Sequence, residues 1–522
     1  MTIESDLEKN RVQELDHLLT LIKPKILQYI AEADPNSPKY KTASLGTYHE
    51  PAFLKKEFIN DSDNNLVKPA SEDQLWEVID KVLAYSVNTW NPGFLDKLYA
   101  SNNPIGVISD VILSVLNTNS HVYTVSPVLS VLENYIGKKY ASLFFTDNLQ
   151  TCGGLTFSGG SWSNITSMQI ARSMKFPQTK QHGNGDYKFA IYTSKHCHYS
   201  VVKGAILLGL GSESVFKVDV TPEGTLKVDD LERVIEQSIK DGYTPLYINS
   251  TAGTTVFGSY DPFEEISKVA KKHKIHFHID GSWGGNVVFS PTYKDRLAGS
   301  QYADSITVNP HKMLGVPTTC SFLLIPHVAH FQTAMSLQAP YLFHGRDNDD
   351  DENYDLADGT MGCGRRADSF KFYLSWLYYG QIGLQHRVDH AYKIQEYFVQ
   401  KITSYPDGVF EIVGPKQPQC LQVCFYYHPP SFKGEKSGSG QSDGERNTEV
   451  TRYISRELHK QGKYLVDFSP NPEDQSQGEF FRVVFNSPIL SDKVVDDLIA
   501  SIVKVGEELT TAGDATSNGA AA

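Results

Sequence analysis

The sequence predicts an α/β protein built on a mainly parallel, doubly wound sheet. Two observations predict it. From Cys152 onward, short β-forming runs alternate with runs of helical period over about 170 residues, the order expected of βαβ units. Polar turns, several of them glycine-bearing, recur where those strands end or the next helix begins. Open α/β sheets place their ligands at that edge.

Along that stretch, GGLTFSGGSWSN opens a helix with Ile165, Met168 and Ala171 at helical spacing. Strands are expected at Phe189 to Thr193, Ser214 to Val220, Leu246 to Ser250, Ile275 to Asp280, Ser305 to Val308 and Ser321 to Pro326. Helices are expected at Ser200 to Leu208 and Asp230 to Ile239, and in DPFEEISKVAKKHK with Asp261 as its cap. Before this region, VQELDHLLTLIKPKILQYI reads as an amphipathic helix interrupted at Pro24, and a second helical run covers Glu72 to Ser86. After it, a polar connection from Phe331 to Ala367 carries the acidic run DNDDDENYD. FKFYLSWLYYGQIGLQHRVDHAYKIQEYFVQKI then reads as one or two long helices. The last part reads as α+β: a strand in CLQVCFYYH, a helix around Thr448 to Gln461, the strand FFRVVF and a final helix. The expected division is a helical arm over 1–100, a large domain over 101–385, a small α+β domain over 386–508 and a disordered tail over 509–522. A flexible insertion is expected at 431–447.

Composition narrows the function classes. A chain of 522 residues, 40% apolar and 21% charged, is long enough for two to four soluble domains. A formal net charge of -13 argues against nucleic-acid or anionic-membrane partners. No run approaches the roughly 18 apolar residues of a membrane span. Six scattered cysteines without a CxxC pair argue against a zinc site and a disulfide framework, and no metal is expected. The polar, acidic start resembles neither a secretory signal nor a transit peptide, so the expected compartment is the reducing cytoplasm.

The chemistry centres on SITVNPHKMLGVPTTCSFLLIP. A strand ends at Asn309-Pro310, presents His311 and Lys312, and returns as another strand. A lysine at a strand end can lose its charge and act as an imine-forming nucleophile. SGGSWSN sets glycines and hydroxyls before a helix, where backbone N–H groups make an anion site. KHCHYS places His198 where an imidazole can stack on a planar ring. HFHIDGSWGG puts Asp280 at the end of an apolar strand, where a buried carboxylate needs a cationic partner. A phosphate cradle, a stacking imidazole, a carboxylate for a pyridinium nitrogen and an imine-forming lysine match one cofactor, pyridoxal 5′-phosphate.

In this order SGGSWSN, KHCHYS, NSTAGTTVFG, HIDGSWGG, NPHKMLGVP, MGCGRR and FFRVV resemble the group II pyridoxal-phosphate decarboxylases. The similarity is greatest to the glutamate decarboxylase and cysteine sulfinate decarboxylase branch, and it runs from roughly Asn91 to Val503. The resemblance implies fold type I, as in aspartate aminotransferase: a mainly parallel seven-stranded sheet in the large domain, a helical N-terminal arm and a small α+β C-terminal domain. It implies a homodimer with active sites at the subunit interface. Lys312 would carry the cofactor as a Schiff base, Asp280 would hold the ring nitrogen protonated and His198 would stack on the ring. Gly160, Ser161, Asn309 and His311 would surround the phosphate, with Thr254 near the ring, and Tyr341 would return a proton to Cα. Arg482 matches the arginine that binds the substrate's side-chain carboxylate. Asn119, His121, Lys97 and Gly364 are expected on the substrate side, with Cys363, Gly364 and Arg365 in a turn that closes the site. His121 stands where that branch commonly has Phe or Tyr, and Lys97 where it has Gln. These departures keep an acidic substrate and put glutamate specifically in doubt. The expected reaction is decarboxylation of an acidic L-amino acid. L-glutamate, giving 4-aminobutanoate, is slightly ahead of aspartate and cysteine sulfinate. An aromatic L-amino-acid decarboxylase and a non-catalytic binding subunit are the other readings. Arg482 argues against the first, and the intact Lys312, Asp280 and His198 set against the second.

Overall fold

A computed structural model describes residues 10–59, 69–337, 353–430 and 442–518. The chain divides into two compact units. One comprises Met1–Ser101, Gln400–Glu411 and Phe425–Ala522, the other Asn102–Val399 and Ile412–Cys424. The first break falls beside the expected boundary at 100, while the second lies near Val399 rather than at 385, and the N-terminal helices cluster with the C-terminal α+β segments as one body.

That first unit opens with α1 (Arg11–Ala33), α2 (Pro51–Phe58) and α3 (Glu72–Tyr85). The helix α1 runs through Pro24 without ending there. A capping box between Ser71 and Gln74 starts α3, and the pairs His17–Glu72 and Lys25–Asp80 tie α1 to α3. A two-residue strand, β1 (Phe94–Leu95), follows.

The second unit carries α4 (Pro104–Leu116) and α5 (Pro127–Ala141), then a seven-stranded sheet. Its strands are β2 (Gly153–Phe157), β3 (Phe189–Ser194), β4 (Val215–Val218), β5 (Thr244–Thr251), β6 (His276–Gly281), β7 (Ser305–Val308) and β8 (Ser321–Ile325). Their spatial order is β2-β8-β7-β6-β5-β3-β4. All neighbouring pairs from β7 to β4 are parallel, and β8 alone runs against both its neighbours. The fold is the seven-stranded, mainly parallel α/β architecture expected of fold type I. Strands β3, β7 and β8 are buried at every residue, as a sheet covered on both faces requires. The helix α6 (Gly160–Lys175) lays Met168 and Ala171 on Phe189, Ile191, Leu246 and Tyr247 to make one such cover.

Asp261 is not a helix cap. Pro262 occupies the cap position, and the buried Asp261 carboxylate accepts from the Leu226 and Thr251 amides instead. The long helix Asp368–Thr403 is broken at Gly380, whose φ of 65° no helix tolerates. A five-stranded sheet has the order β1-β11-β12-β10-β9, with β9 (Phe410–Ile412), β10 (Gln422–Tyr427), β11 (Leu465–Pro470) and β12 (Glu479–Val484). The preceding helix starts at Asp443, earlier than expected, because Ser442 and Glu445 form a capping box. The last helix runs from Asp492 to Asn518, into the segment expected to be disordered, whose last residues, 519–522, lie outside the described ones.

Candidate active site

Asp280 lies near the C-terminal end of β6, paired in register with Thr307 of β7. After β7 the chain turns at Asn309, and Pro310 opens the single helical turn that carries Lys312. His198 follows β3 and precedes the helix Ser200–Leu207. The sheet order thus gathers three residues distant in sequence at one edge.

The Asp280 carboxylate is buried, with one oxygen accepting from Asn164 Nδ2 at 2.8 Å and the other from the Ser282 amide at 3.1 Å. Burial alone would raise its pKa. Its surroundings, His198 first, then the Ser282 hydrogen bond, His278 and the Lys312 ammonium, outweigh burial and hold it below the ordinary carboxylate range. Asp280 is therefore a fixed negative charge. His198 is displaced downward by burial, against the pull of Asp280. Its Nδ1 faces both the Ser200 hydroxyl (2.8 Å) and the Ser200 amide (3.3 Å). An N–H donor at Nδ1 places the ring proton on Nε2.

The residues expected around the phosphate also converge. Gly159 starts α6 with φ 103° and offers its N–H groups no capping side chain, leaving an anion-binding helix end. A Cβ on Gly160 would lie 2.4 Å from Ser282 Oγ and 3.0 Å from Asn309 Nδ2, so Gly160, Ser282 and Asn309 enclose one small space. Asn309 turns its Nδ2, a donor, toward this space, while its Oδ1 is buried without a hydrogen-bond partner among the described residues. His311 is pushed down to about 4 by burial, and its Nδ1 contacts the Cys320 backbone. Thr254 is fully buried in the turn after β5, where its hydroxyl accepts from the Ser259 amide. The donor set and the space fit pyridoxal phosphate: a lysine on the turn after β7, a carboxylate on the adjacent β6, a helix end suited to a phosphate and an imidazole just beyond β3.

On the expected substrate side, Arg365 organises the segment around Asn119 and His121. Its amide donates to Asn119 Oδ1 (2.8 Å), its guanidinium to Ser120 O (2.7 Å), and the Ser120 amide returns a bond to Arg365 O. Glu133, fully buried, receives Arg365 at 2.5 Å together with Thr156 and Ser369. His121 Nδ1 lies 3.1 Å from Asn119 O. Gly364 is exposed, with open space where a side chain would be. In the first unit, Arg482 is buried on β12 directly across from Asp467 on β11, and the two form an ion pair. Lys97 bridges Asp96 and Asp467, each at 3.2 Å. Burial raises the pKa of Asp96, with Asp467 adding to the shift. Tyr341 lies outside the described residues.

A family model described as the pyridoxal-dependent decarboxylase conserved domain matches residues 56–428. The chain belongs to this family. It is a decarboxylase whose cofactor is pyridoxal phosphate. Among relatives of this decarboxylase, L-aspartate decarboxylase dtxS4 of Metarhizium robertsii is 41% identical, covering 96% of this chain and 98% of its own. Cysteine sulfinic acid decarboxylase of Mus musculus is 35% identical, over 84% and 87% respectively. The crystal structure of mouse CSAD superposes with a TM-score of 0.86 at 31% identity, covering 95% of this chain and 99% of that one.

The decarboxylase carries site groups that the sequence did not single out. Asn164, Glu133 and Asp467 acquire their meaning from partners far away in the chain. One signal was present: His276, His278 and Asp280 alternate on β6, so all three face the same side.

Proposed function

We propose that the decarboxylase removes the α-carboxylate of a short acidic L-amino acid, with L-aspartate preferred and β-alanine the product. The acidic class rests on Arg482, a buried guanidinium on a strand and suited to carboxylate recognition. Aspartate moves ahead of glutamate because the relative with that printed activity is 41% identical over nearly all of both chains. His121 and Lys97 agree with it, since both add cationic capacity where the glutamate branch has neutral groups.

Bound pyridoxal phosphate supplies an electron sink for the pair released as CO2 departs. Lys312 would be the amine that holds the cofactor. Asp280 would offer its negative charge to the ring nitrogen, and His198, with its proton on Nε2, would cover the ring. The α6 N-terminus with Ser161, Asn309 and His311 would hold the phosphate, with Thr254 beside the ring. Tyr341 donates the proton to Cα, and the Asn119–His121 segment and Gly364 border the substrate.

The working unit is a homodimer in the cytoplasm. Ile108, Val111, Ile112, Val115 and Leu116 on α4, with Val128, Val131 and Tyr135 on α5, are exposed at helical spacing. Such stripes suit a second copy of the chain. No disulfide joins the six cysteines, and among the described residues no helix is long and apolar enough to cross a membrane.

CO2 release from L-aspartate, cysteine sulfinate, L-glutamate and DOPA tests the assignment, with Lys312→Ala as the blank. The highest kcat/KM is expected for aspartate. A higher value for glutamate would overturn the preference for aspartate, and turnover of DOPA would overturn the role of Arg482.

A further inference from the structure

Behind the carboxylate runs a buried chain of hydrogen bonds. His276 Nε2 lies 2.8 Å from Ser305 Oγ, Ser305 Oγ 2.8 Å from His278 Nδ1, His278 Nε2 3.1 Å from Asn164 Oδ1, and Asn164 Nδ2 2.8 Å from Asp280 Oδ2. Thr307 Oγ1 stands 3.5 Å from the same His278 nitrogen. A branch leaves Asn164 Nδ2 for Ser200 Oγ at 3.1 Å, and Ser200 continues to His198 Nδ1. Asn164, Ser200, His278 and Ser305 are all essentially inaccessible to solvent.

The chemistry of each member fixes the polarity of the chain. An ionised Asp280 only accepts, so Asn164 must turn its NH2 toward it. Its Oδ1 then accepts, which puts the His278 proton on Nε2. Neutral His278 accepts at Nδ1, so Ser305 donates there and receives from His276 Nε2–H. The second hydrogen of the Asn164 amide goes to Ser200, whose own proton points at His198 Nδ1. Burial disfavours the charged form of each imidazole: His278 is pushed down to about 3, and His198 and His276 are also lowered. The Tyr247 ring stacks on His276 and His278 at 5.5 Å, and its hydroxyl reaches Ser167, which donates to the Asn164 carbonyl. The amide therefore has one available orientation.

We propose that Asn164 is a positioning residue that couples the two ring-handling groups, fixing the ionised Asp280 carboxylate against the cofactor's ring nitrogen while setting the His198 tautomer through Ser200. This deepens the proposed site and rests on Asp280 meeting the ring nitrogen. A purely structural Asn164 would serve any molecule of the cofactor's shape equally well. An Asn164 that acts through Asp280 must distinguish a ring with nitrogen from one without it.

The test is the affinity of full-length protein, stripped of cofactor, for two probes: pyridoxal 5′-phosphate and its analogue with carbon in place of the ring nitrogen. Asn164→Leu keeps the side chain's size and removes its hydrogen bonds. Its preference for the nitrogen-containing ring is expected to fall roughly tenfold to a hundredfold, the scale of a hydrogen bond to a charged group. Binding of the analogue should stay nearly unchanged. Asn164→Ser reads the same ratio if the leucine variant does not fold. Equal weakening toward both probes, or no change toward either, would overturn the inference. Asp280→Ala separates the two levels. If it abolishes the preference and the Asn164 variants do not, only the positioning role fails. If it leaves the preference intact, the placement of Asp280 fails, and this inference with it.

Discussion

The Arg482 guanidinium is held by Asp467, so an acidic substrate would have to share it with a carboxylate already in place. Two outcomes follow from that sharing. Arg482→Lys keeps the charge and loses the planar fork, so kcat/KM for aspartate should fall about a hundredfold, mostly through KM. Asp467→Asn removes the competing charge and should lower KM for aspartate several-fold, provided steady-state kinetics are compared at one ionic strength. His311 gives a pH dependence whose sign is fixed. Its folded pKa of about 4 lies below the ordinary histidine value. As pH falls from about 6.5 toward 4, the unfolded chain takes up a proton that the folded chain refuses. The stability from keeping His311 neutral is complete above about 6.5 and is lost on acidification, by about 3 kcal/mol. Denaturant unfolding of the wild type and His311→Gln across that range should show a shallower acid loss in the variant. At this scale Lys312, Asp280 and His198 were legible because each residue type is chemically conspicuous at a strand end. Asn164 was not, since an asparagine inside a helix announces nothing until three partners from other elements surround it.

Elements decide where those residues meet. The bounds of β7, Ser305 to Val308, could be read directly, because an apolar run stops at Asn-Pro and strands of a covered sheet need no alternation. Helix ends were less legible. Pro24 sits within α1, and the helix at Asp443 begins inside a polar stretch that only its capping box organises. The strap between α5 and the Asn119 segment had no sequence signal, since Glu133 looks like an ordinary helical surface residue. Its full burial against Arg365 predicts the cost of removing it. Glu133→Ala leaves a guanidinium without its carboxylate, and the protein should lose about 3 to 5 kcal/mol in chemical unfolding. At the start of α6, Gly160→Ala would press a methyl group onto Ser282 and Asn309. The fold should persist by circular dichroism while the cofactor dissociation constant rises at least about tenfold, the equivalent of about 1.4 kcal/mol.

For the molecule as a whole, the exposed stripes on α4 and α5 bear on assembly. Val115→Glu, at a position 70% exposed, should cost an isolated chain little and should shift sedimentation from dimer to monomer. Unchanged sedimentation would remove that face from the interface. The division into two units was the least legible feature, because contacts between the chain's beginning and end leave no local pattern in either. If the stripes do join two copies, folding and association become one equilibrium governed by mass action. Each tenfold dilution then withdraws about 1.4 kcal/mol from the folded dimer. The thermal midpoint should fall as the sample is diluted, and abundance itself would help to set how much of the decarboxylase stays folded.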